Sequence, residues 1–170
     1  MTTMAQDEID YIMRNFASTI LEEVRKLECR GRINVYDRNL FTFIDIDNNF
    51  SYLPTDILAR NGFTLVPLMH KKFSPKSHIS TMTNHEQDDI VKREDVDFTF
   101  DKWRDTDITF EIEDLQLDYH RDKNSGRMKI VCIVIVSSPI LEAIIRDLGM
   151  RDNSDFYCCH IKVCQSFCDF

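Results

Sequence analysis

Between positions 107 and 113 the chain runs Asp107, Ile108, Thr109, Phe110, Glu111, Ile112, Glu113, a strict alternation of polar and apolar side chains. In a strand that alternation sends Ile108, Phe110 and Ile112 inward and sets Asp107, Thr109, Glu111 and Glu113 along one outer face. A row of carboxylates has two chemical uses. It can clamp a divalent cation for phosphodiester chemistry, with Lys102, Arg104 or Arg127 neutralising phosphate, or it can dock a basic protein partner. The bland alternative is an ordinary solvated face. A metal-dependent nuclease would need a companion lysine, and no Glu-x-Lys or Asp-x-Lys tripeptide follows the strand. The residues expected to bind a partner are therefore Asp107, Glu111 and Glu113, with Trp103 beside Lys102 and Arg104 as a partly buried anchor. No catalytic residue, metal ligand or cofactor is assigned.

The same stretch carries a local oddity. Leu115, Leu117 and Tyr119 occupy the opposite parity from Ile108, Phe110 and Ile112, so the inward register must flip near Glu113 and Asp114. A β-bulge or a break into two strands is the physical way to do that.

The remaining candidates are weaker. Cys158, Cys159, His160, Cys164 and Cys168 are soft ligands, yet in a strand Cys158 and His160 point one way and Cys159 the other, and the chain has no Cys-x-x-Cys pair. Packing is the favoured role for these cysteines. Asp45, Asp47 and Asn49 open with the spacing of a calcium loop, with Asp56 at its twelfth place, but Phe50 stands where glycine is needed and a bidentate glutamate is missing. A polar turn is expected there. His70, His78, His85, His120 and His160 have no neighbouring nucleophile in a local signature, and Ser74-Pro75 and Thr83 are short phosphorylation-type patterns in the polar loop. With glycines at 31, 62, 126 and 149 alone, the chain has no phosphate-cradling loop.

The elements that would position these residues follow from periodicity. Ile9, Ile12, Met13, Phe16, Ile20, Val24 and Leu27 lie on one helical face over residues 5 to 28, with Thr3 and Gln6 as a capping box and Gly31 as the C-terminal cap. Ile33 and Val35, then Phe41 to Ile46, predict a hairpin about the turn at 37 to 39. Pro54 opens a short helix closed by Gly62, and 63 to 69 is extended. Residues 70 to 97 form a polar surface loop, with a short helix possible over 84 to 93. Strands follow over 98 to 103, 107 to 119 and 128 to 136. The last is apolar on both faces and belongs in the sheet centre. Pro139 opens a helix with Leu141, Ile144, Ile145 and Leu148 on one stripe, closed by Gly149. A final strand over 156 to 163 is expected, reached by a crossover that would set it parallel to 128 to 136.

This order gives an α+β fold: a mixed, mostly antiparallel sheet packed by an N-terminal amphipathic helix and a second helix near the C-terminus. At 170 residues one domain over 1–170 is expected. The net charge of -8 disfavours general binding to nucleic acid or anionic membranes, despite small basic clusters at 25 to 38 and 71 to 76. The acidity concentrates between 86 and 122. The start has no secretory pattern, and the longest apolar run, 130 to 136, is too short for a membrane span, so a reduced cytoplasmic or nuclear setting is expected. By elimination, the function expected is a non-enzymatic protein-binding module, an adaptor or regulatory subunit. It would use a sheet edge, the first helix or the acidic face. A metal-dependent enzyme on nucleic acid or phosphate esters is the alternative, and self-association through the first helix a further possibility.

Overall fold

The computed structural model describes residues 2–36, 41–67, 77–80, 101–122, 125–147 and 160–167. Their elements are α1 (Thr2–Arg25), β1 (Arg30–Tyr36), β2 (Phe41–Asp45), α2 (Asn49–Arg60), β3 (Val66–Pro67), β4 (His78–Ser80), β5 (Asp107–Thr109), β6 (Glu111–Arg121), β7 (Met128–Ser137), α3 (Pro139–Asp147) and β8 (His160–Phe167). The fold is α+β, and every strand pairing among the described residues is antiparallel.

The apolar face of α1 buries Ile9, Ile12, Ile20 and Val24 against β6 and α2. The helix stops earlier than its periodicity implied. Lys26 and Leu27 donate to the carbonyls three residues back, tightening the last turn, and Gly31 falls inside β1 instead of capping the helix. The reason for glycine there is contact with the neighbouring strand. A Cβ at Gly31 would lie 2.5 Å from the Asp45 carbonyl oxygen and 2.6 Å from Ile44 Cγ2. Gln6, expected to cap, instead donates to Asp10 Oδ1 at 2.9 Å within the helix.

The second helix starts five residues before Pro54. Asp47 Oδ1 accepts the Asn49 N–H at 2.9 Å and the Asp47 carbonyl accepts that of Phe50, so the stretch with calcium-loop spacing is the turn that opens α2. Packing outweighs the local cost of an internal proline. Phe50 and Ser51 are fully buried, and Ser51 Oγ lies 2.6 Å from Ser77 Oγ. At the other end Phe63 N–H bonds to the Leu58 carbonyl and Gly62 N–H to that of Ala59, with Gly62 at φ +89, which is a Schellman cap.

The strand order is β5-β1-β2-β4-β8-β7-β6, with β3 also on β8. The two ends of this order are consecutive in the chain, separated only by Phe110. Phe110 N–H donates to the Cys29 carbonyl on the β1 side, while the Thr109 carbonyl accepts from Ser138 on the β7 side. One run of chain, 107 to 121, thus serves β1 with its first part and β7 with its second, and the strand order closes into a ring. Ile33, Ile44, Ile79, Ile108, Phe110, Leu115 and Val134 meet α1 and α2 in one continuous core.

Three expectations are corrected. Part of the stretch read as a polar surface loop is β4, whose Ile79 is fully buried between β2 and β8, with Ser77 buried just before it; 70 to 76 and 81 to 97, with the helix expected at 84 to 93, lie outside the described residues. The segment read as a strand over 98 to 103 is helical at 101–103, with 98 to 100 outside the described residues. Finally, β8 runs antiparallel to β7 and starts opposite Ile135, near the end where β7 finishes. The nine residues of α3 rise about 13 Å, against about 33 Å for the ten of β7, so the helix alone does not span the length of that strand. The central position of β7 stands: Ile130, Val131, Cys132, Ile133 and Val134 are all buried, between β6 and β8.

Candidate acidic docking site

The alternation over 107 to 113 is present in space. Ile108, Phe110 and Ile112 are buried, and Asp107, Thr109, Glu111 and Glu113 are exposed. The register flip is present too. Ile112 pairs with Val136 and Asp114 with Ile135, leaving Glu113 as the extra residue of a β-bulge, after which Leu115 and Leu117 point inward. Arg25, from the last turn of α1, donates through Nη2 to the carbonyl oxygens of Ile112 and Glu113, both at 3.3 Å. The Glu113 carboxylate accepts a hydrogen bond from Ser137 Oγ across the strand pair.

Beside the bulge lies an open recess of about 360 Å³. One side is Thr109, Phe110 and Glu111 from the β5–β6 junction; the other is Ser137, Ser138, Pro139 and Glu142, where β7 gives way to α3. Ser138 builds that corner. It is 2% exposed, its hydroxyl donates to the Thr109 carbonyl at 2.7 Å and accepts the Leu141 N–H at 3.2 Å, which makes it the N-cap of α3. Pro139 takes the first helical position, where no N–H is needed, and Glu142 in the first turn suits the positive end of the helix dipole. Two carboxylates, Glu111 and Glu142, thus line the recess from opposite elements. Neither has an ion-pair partner among the described residues.

The other expected residues lie outside the recess. Asp107 is 3.5 Å from Arg32 Nε on β1, an exposed pair that contributes little to stability. Trp103 is half-buried against the core, and its Nε1–H donates to the Asp147 carboxylate at the end of α3. Asp147 also receives Lys102 Nζ at 3.1 Å, and that ammonium sits 4.8 Å from the Trp103 ring centroid. Trp103 is therefore a strut to α3. Arg104 pairs with Asp101 at 3.4 Å, and Arg127 lies on the β6–β7 turn, so these cations do not gather at the carboxylates.

Glu142 and Ser138 were not singled out from sequence, although Ser-Pro followed by a glutamate in the first helical turn was a usable sign of an acidic helix start. Among the described residues no three His, Cys, Asp or Glu side chains are grouped to hold a metal ion. Of the cysteine-rich tail, Cys158, Cys159 and Cys168 lie outside the described residues. Cys132 is buried, and burial pushes the half-buried Cys29 thiol up. No described helix is long and apolar enough to cross a membrane. Comparison with protein-family models, curated proteins and solved structures finds no match to this chain.

Proposed function

We propose that the chain is a non-enzymatic protein-binding module, an adaptor or regulatory subunit of the cell interior, which receives a basic segment of a protein partner on its acidic strand face. The observation that carries this reading is the pair Glu111 and Glu142 on opposite sides of one open recess, both without an ionic partner among the described residues. Phe110 and Pro139 supply apolar wall for the methylene stem of a lysine or arginine, while the carboxylates meet its charged head. The net charge of -8 favours encounter with a basic partner and raises its rate of association.

A backbone-amide NMR titration with a short lysine- and arginine-containing peptide tests it. Shifts are expected at residues 109–111, 137, 138 and 140–142, weakening with salt and lost in the double variant Glu111→Gln/Glu142→Gln. Absence of shifts there, or shifts unchanged in the double variant, overturns the reading.

A further inference from the structure

The C-terminal cap of α2 places asparagine directly before glycine, at Asn61 and Gly62. Both residues are exposed. This dipeptide has an intrinsic chemistry, because glycine has no side chain to shield its backbone nitrogen from the asparagine amide carbon. Asparagine is among the thermolabile residues for this reason. We propose that Asn61 is a latent deamidation site held closed by the α2 cap, so that its conversion records each opening of that helix end.

The reaction needs water alone as co-reactant. Hydroxide removes the Gly62 amide proton, the nitrogen attacks Asn61 Cγ, and a new N–C bond forms as the Cγ–Nδ2 bond breaks and ammonia leaves. Water then adds to one of the two imide carbonyls and that carbon's bond to the Gly62 nitrogen breaks, the nitrogen taking up a proton: opening at Cγ gives an aspartate at position 61, opening at the backbone carbonyl an isoaspartate. Both reacting atoms are engaged in the folded chain. Asn61 Nδ2 donates to the Ile57 carbonyl at 2.7 Å, which turns the amide back along the helix. The Gly62 N–H donates to the Ala59 carbonyl at 3.2 Å, which holds the proton that must leave. Asn61 itself has φ -104 and ψ 14, held in the turn by both of these bonds. Attack therefore requires the cap to open first.

The product does not restore the cap. An aspartate places negative charge at the negative end of the helix dipole and loses the Nδ2 donor to Ile57. An isoaspartate adds a methylene to the backbone and breaks the spacing that lets Phe63 N–H reach Leu58. Phe63 is the residue that the cap delivers to Tyr11 and Phe16 on α1, with ring centroids 5.9 and 6.0 Å away. Conversion at position 61 thus loosens the aromatic seam between the two helices.

The test incubates the full chain in mildly alkaline buffer with and without unfolding urea, and follows the peptide spanning 57 to 63 by mass spectrometry. Conversion in the unfolded arm should exceed that in the folded arm roughly ten-fold or more, the protection expected where reaction waits on local opening. Gly62→Ala should slow the unfolded arm by shielding the nitrogen, and speed the folded arm relative to its own unfolded rate because φ +89 is strained for alanine. Equal conversion in both wild-type arms overturns the guarding role of the cap. No conversion in the unfolded arm overturns the site itself.

Discussion

Arg25 in the last turn of α1 donates to the carbonyl oxygen of Glu113, 88 positions later in the chain. The same nitrogen reaches the Ile112 carbonyl, so one guanidinium from the helix holds the point at which β6 changes its inward face. A bulge leaves backbone groups outside the ladder, and this cation supplies a donor for two of them.

Replacing Arg25 with methionine should therefore destabilise the fold by about 1 kcal/mol, since both bonds are long and one is exposed. The urea midpoint reads the loss, and amide exchange should rise first at 113 and 114. An unchanged midpoint with unchanged exchange would show the clamp to be inert.

Gly31→Ala tests a packing requirement that has nothing to do with turns. Its added methyl meets the Asp45 carbonyl and the Ile44 side chain well inside contact distance, so β1 and β2 must move apart. The expected cost is roughly 1 to 3 kcal/mol, as for overpacked core sites. Thermal unfolding of the variant measures it.

Much of this was legible beforehand, and the exceptions have physical reasons. The register flip at Glu113 and Asp114 could be read because three apolar residues lie on each side of it, in opposite parity. The start of α3 could be read from Pro139. By contrast β4 offers a single apolar residue, Ile79, between His78 and Ser80, too short a run for any period to show. The early start of α2 was hidden because Pro54 resembles a helix opening; what extends the helix back to Asn49 is burial of Phe50 and the Ser51–Ser77 contact, both distant in sequence. For the recess the strand half was visible in Glu111, whereas Glu142 reaches it only through the Ser138 bond to Thr109.

Phe50 and Phe110 pack with ring centroids 5.6 Å apart, joining α2 to the β5–β6 junction. Phe50→Ala should cost about 3 to 5 kcal/mol. A cycle of the two Phe→Leu variants should show a coupling of about 0.5 to 1.5 kcal/mol. Strict additivity would mean that the rings act independently.

The turn after β6 supplies a pH dependence. Asp122 accepts the Ser125 N–H, the Ser125 hydroxyl and the Lys129 ammonium, and these lower its carboxyl from 3.8 to about 2. A depressed folded-state value means that its contribution is present above about 4 and is lost as pH falls toward 2. In Asp122→Asn the stability curve should flatten over that window and coincide with wild type below it. An equally steep acid limb in the variant would assign the dependence to other carboxylates.

The ring of strands also has a history in time. The β6–β7 hairpin joins residues near in sequence and can form early, whereas β1 must find β5 across the long stretch between Arg30 and Thr109. That pairing, like those of β3 and β4 with β8, closes a long loop and so carries a larger entropic cost than the hairpin. The chain is in effect a clasp whose two halves are one run of residues that changes partner at Phe110.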